Sequence, residues 1–231
     1  MALHPMLIHF PIGLIYLAAG SALVGSLIYI FKGKLSKQEQ EKINKNDFLG
    51  KLDFLIHVSI IITLLGLVIV IYTGFLDAAM HSQTDLIDLV RPWEVITGFK
   101  NVLQSNLLIF KMVFAITVFF LLIILMYLRS YYLKHANVNS IFNLDLISLL
   151  SIDLLIFTIM GIITLIGSVG GTYEYGHSIL QDIPIVNLFL PTTYGFILLP
   201  IVIIAVLVIE AVLVVTELKY PNKQIIPFLK T

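Results

Sequence analysis

Side chains able to do chemistry are few in this chain, and six of them are histidines. His9 stands inside an apolar run, two residues before Pro11, on one helical face with Gly13, Tyr16 and Gly20. An imidazole followed along its face by residues without side chains suits a flat macrocycle that must approach the helix backbone. That is the arrangement of a membrane b-type haem, for which imidazole is a common axial ligand. His81 and His177 follow the ends of the second and fourth apolar runs, and His4 opens the first. His81 or His177 is the candidate second ligand, with His4 in reserve. His9, His81 and His177 also make a set that zinc or copper would accept. The plainer reading of His9 is a hydrogen bond to a neighbouring helix, with glycines that only let helices pack closely. His4-Pro5 reads equally well as a helix start, where proline loses no hydrogen bond.

The carboxyls come next. Asp153 and Glu210 lie inside the fourth and fifth runs, and Asp77 closes the second. Ionisable groups at such positions are expensive, roughly 2.5–3.5 kcal/mol at a helix centre on insertion scales, so they are candidates for handling protons. Asp153 and Glu210 fall at similar depth and either share one proton or are hydrogen-bonded separately. Lys111 either snorkels, pairs with Asp77, or meets a haem propionate. His57 and His135 read as interface residues, and Tyr131-Tyr132 as an aromatic anchor. The segment Gly170-Gly171-Thr172-Tyr173-Glu174-Tyr175-Gly176 follows a helix, not a strand, so it is no nucleotide fingerprint.

The elements that must position these groups are set by composition. Of the 231 residues, 59% are hydrophobic and 12% charged, against about 25% charged in a soluble domain, with a formal net charge of zero. Nothing here suggests nucleic acid. The absence of cysteine excludes disulfides, iron–sulfur clusters, c-type haem attachment and thiolate zinc sites. Five stretches reach the roughly 20 apolar residues that a span requires: 6–31, 54–76, 107–128, 146–167 and 194–215. The first has no basic lead-in and reads as a retained span and not a signal peptide. The expected fold is a single all-α domain over residues 1–231, a multi-pass bundle of about five transmembrane helices.

Positive charge sets the direction. With the N-terminus outside, Lys32, Lys34, Lys37, Lys42, Lys45, Lys51, Arg129, Lys134, Lys219, Lys223 and Lys230 lie inside, leaving only Arg91, Lys100 and Lys111 outside. The C-terminus is then inside. Apolar residues around Pro92 and Pro184 read as interfacial helices or turns in the outer loops. Polar and small residues at helical spacing mark faces turned toward other helices. Such stripes are His9, Gly13, Tyr16, Gly20 in the first span and Ser59, Thr63, Gly66, Thr73, Asp77, His81 in the second. The fourth carries Asp153, Phe157, Met160, Thr164, Gly167, Gly171.

The opening His4-Pro5-Met6-Leu7-Ile8-His9-Phe10-Pro11 resembles the HP-x-x-x-H-F-P start of a prokaryotic family of predicted membrane proteins, the domain of unknown function 2231 type. Thr73-Gly74-Phe75-Leu76-Asp77 is similar to its T-G-x-x-D element. Gly170-Gly171-Thr172-Tyr173-Glu174-Tyr175-Gly176 is similar to its G-G-x-x-x-Y element, although Gly176-His177 departs from the H-G order of that pattern. The resemblance implies a small helical domain in a prokaryotic cell membrane, associated with respiratory and haem-containing systems.

The expected function is therefore a membrane subunit of a respiratory or electron-transfer complex, not an independent catalyst. It would bind haem b near the outer face through His9 and His81 or His177, with Gly13 and Gly20 making room and Lys111 on a propionate. A quinone or a redox subunit would exchange electrons with it, and Asp153, Glu210 and Asp77 would handle protons. The alternatives are a non-catalytic anchor of a larger complex and, behind that, a proton-coupled transporter.

Overall fold

In lipid every backbone N–H and C=O must be satisfied internally, so the apolar runs become helices. The computed structural model describes residues 3–45, 47–80, 106–175 and 193–219. They form α1 (Leu3–Phe31), α2 (Lys37–Lys45), α3 (Phe48–Met80), α4 (Asn106–Ala136), α5 (Leu146–Tyr175) and α6 (Thr193–Lys219). Five of these, all but α2, are long and apolar enough to cross a membrane. No strand occurs among the described residues. The predicted interfacial segments around Pro92 and Pro184 lie outside them.

α1 packs against α3 and α5, and α4 packs against the same two, which closes a ring of four helices. Its centre is filled by Ile15, Ile56, Ile60, Phe110, Leu122, Ile152 and Ile156, all fully buried. α6 stands outside the ring on α5, buried along the stripe Leu199, Ile203, Val206 and Glu210. Phe10, Phe54, Leu65, Phe120, Ile201 and Ile204 face outward, as lipid-facing positions should.

The end holding Lys32, Lys34, Lys51 and Lys134 is here called the basic end. Two helices have defined limits there. α4 stops where Asn137 takes φ 52°, and the N–H of Val138 returns to the carbonyl of Leu133 at 3.1 Å, a Schellman closure. α5 starts where the Asp145 carboxylate accepts the N–H groups of Ile147 (2.9 Å) and Ser148 (3.1 Å) and the Ser148 hydroxyl (2.6 Å). Between them the chain folds inward. A single 3₁₀ turn, Ile141–Asn143, touches α1, α3 and α4, and Ile141, Phe142 and Leu144 are buried.

Three expectations change. The second span begins at Phe48 and not Phe54, and the third continues to Ala136 beyond Leu128. Arg129, which read as an inner-side loop charge, sits inside the third span and is paired there with Asp53 of the second. The Lys-rich connection holds α2, absent from the sequence reading. α3 does continue past Leu76, so Asp77 lies on it.

α2 opens with a capping box. Ser36 Oγ accepts the N–H of Glu39 at 3.3 Å, while the Glu39 carboxylate accepts the Ser36 hydroxyl at 2.7 Å and its N–H at 2.9 Å. These bonds, the hydroxyl first, hold the Glu39 carboxyl below the ordinary glutamate range. A depressed carboxyl stabilises above its unfolded value and loses that contribution as pH falls through the folded one. Amide protection over residues 37–45, taken relative to the intrinsic exchange rate at each pH, is therefore expected to fall on acidification through that range. A Glu39→Gln protein should lack this step; an unchanged acid response in it would remove Glu39 as the cause.

Candidate functional site

Five buried polar side chains of the spans gather in one layer, about one to two and a half turns from the basic end. Ser26 lies five residues before the end of α1, roughly 7–8 Å at 1.5 Å per residue. Its hydroxyl donates to Asp153 Oδ2 at 2.5 Å, tying α1 to α5. Two residues earlier on α5, Ser151 donates to Glu210 Oε2 on α6 and lies 3.3 Å from the Tyr132 hydroxyl on α4. All five groups are buried. Asp153 Oδ1 and Glu210 Oε1 have no hydrogen-bond partner among the described residues.

The two carboxyls thus share a depth, as their spacing implied, but not a proton. Residues two apart on a helix point about 200° apart. Asp153 is aimed at α1, and the serine that holds Glu210 is aimed at α4 and α6. Each carboxyl has its own serine.

Nearer the basic end a third pair joins α3 to α4. Arg129 Nη2 donates to both oxygens of Asp53 at 3.0 and 2.9 Å, and its Nε lies 3.3 Å from Oδ1. His57 stands one turn further along α3, with Nδ1 buried and unpartnered. Sequence reasoning missed this pair. The signal was available: single charges of opposite sign at the same end of adjacent spans. Ser26 and Ser151 left no comparable trace, because serine is common in transmembrane helices for packing alone.

The stripes predicted for the second and fourth spans do face other helices. Ser59, Thr63 and Thr73 are buried, and a Cβ on Gly66 would lie 3.1 Å from Pro11. Thr164 meets the Tyr16 hydroxyl at 2.6 Å, and a Cβ on Gly167 would lie 3.1 Å from Ile12. The first-span stripe does not turn inward. His9, Gly13, Tyr16 and Gly20 are exposed, and a Cβ on either glycine meets nothing within 4 Å. The buried face of α1 is instead Ile15, Ala18, Ala22 and Ser26. Alanine and serine pack as closely as glycine here, and the sequence rule ranked glycine and histidine above them.

Of the other candidates, Lys111 is half-buried on α4. His4 and Asp77 lie on described helices, but their side chains, like all of His81 and His177, fall outside the description. His135 is exposed and stacks on Tyr131, ring centroids 5.8 Å apart, with Tyr127 stacked on the other side at 6.4 Å. This ladder suits an aromatic anchor. Among the described residues no three His, Asp or Glu side chains gather where a metal ion would be held.

A ring of apolar helices with lipid-type surfaces and buried carboxyls defines a multi-pass helical membrane protein. The chain matches the family described as predicted membrane protein (DUF2231) over residues 1–182, and it belongs to that family. The match covers the four ring helices and ends before α6. Neither the curated proteins nor the solved structures contain a match.

Proposed function

We propose that the chain is a membrane subunit of a respiratory or electron-transfer complex, set in a prokaryotic cell membrane with the basic end inside. It binds b-type haem toward the opposite, outer face and exchanges electrons with a quinone or a partner subunit. The observation that carries this reading is the face of α1 where His9 stands beside Gly13 and Gly20, with nothing over either glycine among the described residues. The packed centre of the ring leaves the haem to the outward side. The α1–α5 register adds support: Ser26 meets Asp153, Tyr16 meets Thr164, and Ile12 meets Gly167. Continued along both helices, it brings the backbone of Gly170 and Gly171 level with His9, so both helices lack bulk there.

His9 would supply one axial imidazole, His81 or His177 the other, with His4 in reserve and Lys111 a partner for a propionate. When bound, the haem would supply a one-electron couple whose potential follows from its ligands and burial. Asp153 and Glu210 would hold protons near the inner face, where quinone reduction takes them up. The purified protein, expressed with haem supplied, should show a reduced-minus-oxidised b-type spectrum that His9→Ala removes. A colourless, folded protein would overturn the haem reading.

The open face equally suits a non-catalytic anchor, on which a helix of a partner subunit would lie. In that case the colourless protein would co-purify with that subunit, and bulky substitutions at Gly13 or Gly20 would release it.

A further inference from the structure

The inward-folded connection between α4 and α5 packs on Gly25 of α1, next to the serine that holds one of the buried carboxyls. We propose that Asp153 is a proton-exchanging site, and that Ser140–Leu144 is a removable stopper between it and the water at the basic end. The inference rests on the proton-handling part of the proposed function and is independent of haem.

Asp153 is 7% exposed and has one hydroxyl donor, Ser26, while Oδ1 has no partner among the described residues. A buried polar atom without a protein partner is uncommon, and a water, an ion or a proton can satisfy it. One carboxyl and one hydroxyl are too few for a hard cation, which takes about six or more oxygens. A proton needs only the free oxygen. Of the other ionisable groups near this end, Glu210 is held by Ser151, Asp53 is paired with Arg129, His57 lies beside that pair on α3, Asp145 caps α5, Tyr29 lies near Asp145, and Lys34, Lys51 and Lys134 are exposed.

The stopper is adjacent to this site along α1. Gly25 precedes Ser26, and the Phe142 ring occupies the space where a side chain on Gly25 would be. Ile141 and Phe142 are buried with it. Yet the segment is one 3₁₀ turn with few polar ties; Ser140 Oγ accepts the N–H of Phe142 at 3.3 Å. It can lift without breaking a hydrogen bond of any spanning helix, and the ring that moves with it uncovers Ser26 and Asp153. Short segments with few such ties are the ones that open locally.

The chain has no cysteine, so Ser26→Cys introduces a single thiol. In the detergent-solubilised full chain, a membrane-impermeant maleimide should label it on the order of 100-fold more slowly than the exposed Lys134→Cys, since labelling waits for local opening. Adding Phe142→Ala, or Gly25→Ala to unseat the ring if the first variant does not fold, should raise that rate about tenfold or more at unchanged helix content. Equal labelling of Ser26→Cys and Lys134→Cys would overturn the stopper, as would protection that survives its removal. Acid-minus-alkaline infrared spectra test the site separately. A carboxyl carbonyl band that Asp153→Asn removes, and that exchanges with deuterium faster in Phe142→Ala, is the expected result. No band lost in Asp153→Asn would overturn the proton site whatever the labelling shows, and neither experiment depends on the haem spectrum.

Discussion

Arg129→Ala is expected to lower the unfolding free energy by about 3–5 kcal/mol, because it leaves the Asp53 carboxylate buried without its countercharge. The two side chains are only 12% and 4% exposed, and the contact is bidentate. An exposed pair would contribute about 1 kcal/mol or less, so burial decides the size of the effect. The pair itself need not be strongly stabilising, since desolvation offsets much of its attraction. Replacing both partners by apolar residues, as in Asp53→Leu with Arg129→Met, should therefore recover most of the loss. Denaturant unfolding followed by circular dichroism gives both numbers. A loss below about 1 kcal/mol in Arg129→Ala would mean that water or lipid headgroups reach Asp53.

Two glycines of α1 should respond to the same substitution with opposite sign. Alanine is the better helix former by about 0.8–1 kcal/mol in a helix interior. At Gly20 nothing lies within 4 Å of an added Cβ, so Gly20→Ala should stabilise by up to that amount. At Gly25 the Cβ collides with the Phe142 ring. Overpacking of that kind costs about 1–3 kcal/mol and outweighs the gain, so Gly25→Ala should destabilise the protein or expel the turn. Paired melting curves of the two variants check this, and two increases would show that Phe142 yields without cost. Gly20→Ala also bears on the haem reading, since a methyl on that face should lower haem occupancy while raising stability.

Much of the architecture was legible in the sequence. Five apolar runs dictate five helices because lipid leaves the backbone no other way to be satisfied. The stripes through Ser59, Thr63, Gly66 and Thr73, and through Asp153, Thr164 and Gly167, could be placed against other helices for the same reason. The opening motif pointed to the family that the chain matches.

What the sequence by itself determined, then, is the number of spanning helices, the membrane setting, the family and the depth at which Asp153 and Glu210 sit. Each follows from local composition or from counting along one helix. Tertiary structure alone decided which helix each carboxyl addresses, that each takes its own serine, and that Asp53 meets Arg129. It also turned the His9 face outward and folded Phe142 onto Gly25. These are relations between helices distant in sequence, fixed by ring closure and by the rotation of each helix about its axis. Periodicity defines a stripe on one helix, but only the neighbours that pack there decide which way the stripe points.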